Sequence, residues 1–254
     1  MDNRIGAQLY TVRDYCKTLD DFDASMKKIS EIGYKTVQLS GIGDFLGTDV
    51  KRILDKYSLE AICTHRGWEN YVNKLDSEIE YHRETGCKIC GLGSMPGFNN
   101  EPETISNFLN NFNPVAEKLE KENLIFAYHN HAFEFAKIDG KYVFDILTEG
   151  MKTDNFKLIL DVYWLAIAGI DPAKFIREHS GRIACVHFKD LKVVNNGAVF
   201  SSVGEGNLDW DNIIDACKTS NVGYAFVEQD DCRGEDPFEC LARSYEFLSG
   251  KGFN

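Results

Sequence analysis

The chain is 254 residues long, enough to bury a sizeable core and close to the usual size of one eight-stranded α/β barrel. Hydrophobic residues make up 43% and charged residues 27%, which excludes a disordered chain, and 40 acidic against 28 basic residues leave a net charge of −12. That sign opposes nucleic-acid backbones and anionic membrane faces, so neither is an expected partner.

In chain order, short β-rich runs alternate with amphipathic stretches. The strand candidates are 5–10, 36–40, 60–65, 88–93, 124–130, 156–161, 182–189 and 223–229. Several are apolar almost to their last residue, as strands covered on both faces of a parallel sheet should be. Helical patterns lie between them. DDFDASMKKISEIG begins on Asp and stops at Gly33, and SEIEYHRETG stops at Gly86. TISNFLNNFNPVAEKLEKEN carries Pro114, which predicts a kink or a break. Asp171-Pro172 and Asp236-Pro237 place Pro at the first helical position after an Asp cap. Eight βα units in one stretch without a linker predict a single (β/α)8 TIM-barrel domain over 1–254. A doubly wound open sheet is disfavoured, because the first strand runs into IGAQLYTVRD and not a Gly-rich dinucleotide turn.

No apolar run is long enough to span a membrane, and MDNRIGAQLYTVRD lacks the core of a secretion signal. The expectation is a cytoplasmic protein whose eight cysteines are reduced. Cys87 and Cys90 form a C-x-x-C, but no second such pair completes a zinc tetrahedron and the motif enters a strand, so packing is the reading.

The ionisable residues fall where the strand candidates end: His65, His129, Asp161, His187 with Lys189, and Glu228. In a closed barrel these carboxyl ends share one face, which carries the active site. Clustered carboxylates repel unless a cation neutralises them. Carboxylate oxygens with imidazole suit one divalent ion, Mn2+ first, with Mg2+, Co2+ or Zn2+ also compatible.

YHNHAFEF (128–135), LILDVYWLAIAGIDP (158–172), RIACVHFKD (182–190), VGEGNLDW (203–210) and YAFVEQD (224–230), with IGAQLYTVRD and VQLSG before them, resemble the xylose isomerase-like TIM-barrel superfamily of sugar phosphate isomerases and epimerases. The resemblance covers nearly the whole chain. It implies a mononuclear metal site held by Glu134, Asp161, His187 and Glu228, with Glu134 and Glu228 exchanging protons with a small sugar. One departure stands out: epimerases of the group carry a His three residues after the Asp, where this chain has Trp164. Six histidines and an acidic chain do not suit the three-zinc nucleases of the same superfamily.

The implied activity is a metal-dependent isomerisation or epimerisation of a small sugar through proton abstraction beside a carbonyl. Elimination from a keto-inositol or a glycoside is the alternative on the same scaffold, and a non-catalytic sugar-binding barrel is the alternative from another class. His129 and His131 either touch the substrate, relay protons or support Glu134. His65 reaches for a distal hydroxyl. Trp164 is either an apolar wall for the sugar or a packing residue. Lys189 is either a donor to the substrate or an ion-pair partner of Asp190 or Glu205. In VGEGNLDW the glycines set a tight turn and Asp209 caps a helix, since no P-loop Lys-Ser/Thr follows. Association into a homo-oligomer is the general habit of such barrels.

Overall fold

The computed structural model describes residues 1–97 and 101–254. Eight parallel strands close a barrel in sequence order: β1 Ile5–Gln8, β2 Thr36–Leu39, β3 Glu60–Thr64, β4 Ile89–Leu92, β5 Ile125–His129, β6 Phe156–Asp161, β7 Ile183–Phe188 and β8 Tyr224–Val227. β8 closes onto β1 with Ala225 opposite Ile5 and Val227 opposite Ala7. Each expected strand is present; 156–161 keeps its expected bounds, and the other seven are shorter by one to three residues.

Ten α-helices are described: α1 Leu19–Ile32, α2 Gly47–Lys56, α3 Trp68–Asn73, α4 Leu75–Thr85, α5 Pro102–Lys121, α6 Val143–Gly150, α7 Val162–Ile167, α8 Pro172–Glu178, α9 Trp210–Thr219 and α10 Pro237–Gly250. Local chemistry sets many of their ends. α1 is capped by the Thr18 side chain, which accepts from the Asp21 amide, and Gly33 ends it. Gly86 ends α4 in the left-handed conformation. Asp171 and Asp236 cap α8 and α10 ahead of their prolines, and Asp209 caps α9. Helix α5 runs unbroken through Pro114. Its neighbour Asn113 bonds the Gly150 carbonyl and the Lys152 amide beyond α6, which ties the helix down at that point.

The pleat explains how the barrel presents its upper rim. Ala127, Ile159, Cys185 and Phe226 form a small apolar cluster with Ile62, Cys63 and Ile89. Two residues further along each strand, on the same face, come His129, Asp161, His187 and Glu228. A larger apolar core lies between the strands and the helices. Gly6 makes room for the Phe226 ring, which a Cβ there would meet at 2.3 Å. All eight cysteines are free thiols, and Cys87 and Cys90 are fully buried, as packing residues should be.

Two hairpins were not legible as strands. Lys137–Ile138 pairs with Lys141–Tyr142, and Asp190–Val194 pairs with Gly197–Ser201 directly after β7. Their turns, Asp139-Gly140 and Asn195-Asn196, all have positive φ, the requirement of the mirror-image turn that suits twisted hairpins. No helix among the described residues is long and apolar enough to cross a membrane.

Candidate metal centre

Asp161 ends β6. Its Oδ1 accepts from the amides of Tyr163 (2.9 Å) and Trp164 (3.2 Å), while its own amide donates to Asn130 Oδ1 (3.0 Å). These bonds hold one carboxylate oxygen outward and turn Oδ2 inward. Glu228, the first residue after β8, is oriented the same way: Oε1 accepts from Gln8 Nε2 at 2.7 Å and leaves Oε2 facing the centre.

The two imidazoles are set by opposite nitrogens. His187 donates from Nε2 to Gln38 Oε1 at 2.7 Å, so Nδ1 is the atom that offers a lone pair when the ring is neutral. That Nδ1 lies 2.8 Å from Glu228 Oε2 and 3.8 Å from Asp161 Oδ2, buried and without hydrogen-bond geometry to either. His129 donates from Nδ1 to the Gly93 carbonyl at 2.9 Å, and its Nε2, in hydrogen-bond geometry to Asp161 Oδ2 at 3.3 Å, is the nitrogen that could turn a lone pair to an ion. One ligand atom from each of His129, Asp161, His187 and Glu228 lies within 4.8 Å of all the others, and all four residues are buried.

This arrangement fits a divalent ion. Lone pairs converge, and each donor is held from behind by a partner that fixes its orientation. The buried His187 Nδ1 has no hydrogen-bond partner, and a metal bond would occupy it.

Lys189 brings an ammonium to the same place. Its Nζ is 3.2 Å from Asp161 Oδ2, 3.0 Å from Glu228 Oε2 and 2.9 Å from Asp230 Oδ1. Burial pushes the Asp161 and Glu228 carboxyls up, but Lys189 and the imidazoles outweigh it and hold both below the usual range. Burial pushes His187 down, and the Glu228 and Asp161 charges reverse this, raising it to about 9. Asp230 is raised, by burial and then by the Glu228 charge.

A cavity of about 590 Å³ opens above the centre, lined in part by Gln8, Ser40, His65, His131, Lys189 and Glu228. The His65 ring lies against β4, where Gly91 and Gly93 leave space: a Cβ on either would come within 3.2 Å of it. Its centroid is 5.0 Å from that of His129 and 5.3 Å from that of His187. The His131 ring stands 4.8 Å from that of His129 and stacks on Phe133. Burial, reinforced by the neighbouring His129, pushes His131 down to about 3, so it is neutral. His65 Nε2, His131 Nδ1 and Trp164 Nε1 are buried without hydrogen-bond partners. Trp164 stands between His131, at 5.4 Å, and Phe200 of the second hairpin, at 6.0 Å.

Of the four ligands implied by resemblance, the structure brings Asp161, His187 and Glu228 together and places Glu134 elsewhere. Glu134 Oε1 accepts from the Tyr128 hydroxyl and Oε2 from the His131 amide, both at 2.7 Å. Tyr128 alternates away from the barrel interior and packs edge-on against Phe108 of α5 at 5.5 Å. The Glu134 carboxylate is thus taken up by Tyr128 and the His131 amide and is not part of the four-residue cluster, in which His129 stands. Burial pushes Glu134 up to about 7.

Lys189 pairs with neither Asp190 nor Glu205. Glu205 is held by Arg243, and Asp190 is the hub of the VGEGNLDW loop. Its carboxylate accepts from the amides of Gly204 (2.9 Å) and Gly206 (3.0 Å) and from Trp210 Nε1 (2.7 Å). The glycine amides are thus spent on the protein's own carboxylate, which is the tight-turn role; a Cβ on Gly206 would meet Asp190 Oδ1 at 2.3 Å.

Sequence reasoning missed Gln8, Gln38, Asn130 and Asp230. The two glutamines had a usable signal, since each is a lone amide inside an otherwise apolar strand and follows the inward-facing period.

The profile of the xylose isomerase-like TIM barrel family matches residues 26–248. The inosose dehydratase of Bacillus thuringiensis (strain Al Hakam) is 23% identical over 219 residues, spanning 76% of this chain and 70% of that protein. The crystal structure of a sugar phosphate isomerase/epimerase from Parabacteroides distasonis ATCC 8503 superposes with a TM-score of 0.80 at 21% identity, over 96% of this chain and 92% of that one. The probable 3-DHS dehydratase of Bacillus anthracis superposes with a TM-score of 0.73 at 14% identity, over 98% and 99% of the two chains. At these identities the solved structures speak for the fold alone. With the closed barrel and the profile match across most of its length, the chain belongs to the xylose isomerase-like TIM barrel family.

Proposed function

We propose that the chain is a divalent-metal-dependent enzyme that removes a proton beside the carbonyl of a small polyhydroxylated substrate, a sugar or keto-sugar, and so isomerises or epimerises it. The observation that carries this reading is the convergence of four oriented ligand atoms beneath an open, polar cavity. Two nitrogens and two oxygens suit Mn2+, Co2+ or Zn2+ better than Mg2+, which prefers oxygen alone. When bound, such an ion supplies Lewis acidity to a carbonyl oxygen and lowers the cost of removing the neighbouring proton.

The protein's own groups do the rest. Glu228, at once a ligand and a cavity residue, is the proton acceptor. His131, with an open Nδ1, takes the second proton-transfer position that the resemblance gave to Glu134. His65 Nε2 and Lys189 Nζ bind substrate oxygens, and Trp164 closes one side beside the Lys189 ammonium, 5.5 Å from its ring centre.

A second reading, elimination of water from a keto-cyclitol, uses the same first step. It is favoured by the name of the relatives that match most of the chain. The position of Glu134 supports it too, because a pair of opposed carboxylates is not assembled over the centre.

Incubating the protein in deuterated water with a panel of sugars and cyclitols, with Mn2+, Co2+, Zn2+ or chelator, tests the shared step. Metal-dependent uptake of deuterium next to a carbonyl is expected, and its absence across the panel rejects enzymatic proton abstraction. Product mass then separates the readings, since isomers keep the substrate mass and elimination products lose water.

A further inference from the structure

Each carboxylate at the centre has one oxygen tied to backbone amides or to Gln8 and one turned into the centre. The inward oxygens, Asp161 Oδ2 and Glu228 Oε2, are the atoms that meet His129 Nε2 and His187 Nδ1. They are also the atoms that hold the Lys189 ammonium, at 3.2 and 3.0 Å. Lys189 is only 2% exposed, with its ammonium also within 5.5 Å of the ring centres of both Trp164 and Phe200. A lysine and a divalent ion therefore compete for the same two oxygens.

We propose that Lys189 is the resident countercation of this centre: it keeps Asp161, Glu228 and Asp230 assembled by itself, and a divalent ion binds by displacing it onto Asp230. The inference rests on the metal-site reading above. Three carboxylates crowded into a buried rim repel one another strongly unless a cation sits among them. Asp230 completes the device. It is the third carboxylate on Nζ, at 2.9 Å, it is not one of the four clustered ligands, and it lines the cavity. An ammonium moved onto Asp230 remains paired and faces the space where substrate enters. Metal loading and presentation of Lys189 to the substrate become one event.

Replacing the lysine separates its two effects. Lys189→Met, matched in length and without charge, should melt at a lower temperature than wild type in chelator, because the carboxylates lose their cation. By calorimetric titration it should bind Mn2+ at least about tenfold more tightly than wild type, because the competing charge is gone. Equal or weaker Mn2+ binding by a folded Lys189→Met protein, or an unchanged melting temperature in chelator, overturns the proposal.

Should Lys189→Met fold only with metal, Asp230→Asn provides the second measurement. Without the alternative carboxylate, Lys189 stays on Asp161 and Glu228, and Mn2+ binding should weaken by about tenfold. Wild-type affinity in Asp230→Asn overturns the displacement step. If folded wild-type protein and folded Lys189→Met both fail to bind Mn2+, Co2+ and Zn2+, the metal reading itself fails, a result distinct from equal affinities in the two proteins.

Discussion

At the scale of the residue, the site is a set of paired orientations. Gln38 and the Gly93 carbonyl choose the tautomers of His187 and His129, and Gln8 and two backbone amides choose which oxygen of Glu228 and Asp161 faces inward. His129 and Glu134, five residues apart, meet different fates because one side chain points into the barrel and the other folds under Tyr128. Mn2+ titration separates them: His129→Ala should weaken binding by more than about tenfold, whereas Glu134→Gln should leave it nearly unchanged. Glu228→Gln should retain the fold and lower turnover by about 10²–10⁴, as expected for loss of a positioned proton acceptor; unchanged turnover would remove Glu228 from that role.

Glu134 also has a pH signature. Burial raises its carboxyl from 4.5 in the unfolded chain to about 7 in the folded one. The folded protein then holds this proton more tightly than the unfolded one. The resulting stabilisation is complete below 4.5 and is lost as pH rises through about 7, at up to about 1.4 kcal/mol per pH unit. The melting temperature of wild type should therefore fall relative to Glu134→Gln across that interval. A constant difference would show that Glu134 is ionised throughout.

At the scale of the element, the decisive features are places where local preference and tertiary packing disagree. Pro114 predicts a kink or a break, yet α5 runs from Pro102 to Lys121. Packing of Phe108, Phe112, Val115 and Leu119 into the core holds both halves in line. The strain this leaves is measurable. Pro114 is exposed, so Pro114→Ala restores a helical amide and relieves a clash without touching the core. Denaturant unfolding should show a gain of about 1–2 kcal/mol after the entropy that Ala returns to the unfolded chain. The hairpin after β7 is the reverse case. Its Asn195-Asn196-Gly197 turn carries the local chemistry of a hairpin, inserted in the connection between β7 and α9. Through Phe200 it covers Tyr163, at 4.4 Å, and Trp164, and so builds one wall around the ammonium.

At the scale of the whole molecule, the centre ties the barrel together. Its four clustered ligands come from β5 to β8, and Gln8 and Gln38 bring in β1 and β2. An ion bound only by the folded protein should therefore stabilise the barrel as a unit, by about 2.7 kcal/mol at a hundred times Kd. In a melting experiment this corresponds to a rise of roughly 5–10 °C on adding Mn2+ to chelator-treated protein. No rise at saturating metal would deny the centre its ion.

The barrel was legible because its evidence is local and repeated. Apolar runs, Asp and Thr caps, Gly stops and Asp-Pro starts depend on neighbours within a few positions, and eight repetitions of strand and helix leave little choice of architecture. The rim residues were legible for the same reason: Asp161, His187, Glu228, His129 and His65 each interrupt or close an apolar run. Which of them share a centre was decided by the pleat. One step along a strand moves a side chain from the cavity to the outer layer, and the loop after β5 leaves Glu134 bonded to Tyr128 and the His131 amide while His129 joins the cluster. The identity of the cation among Asp161, Glu228 and Asp230, like the glutamines that orient the ligands from across the barrel, depends on strands up to 220 residues apart. Such contacts exist only once the sheet has closed: the inward period marks the glutamines, but not the partners they meet.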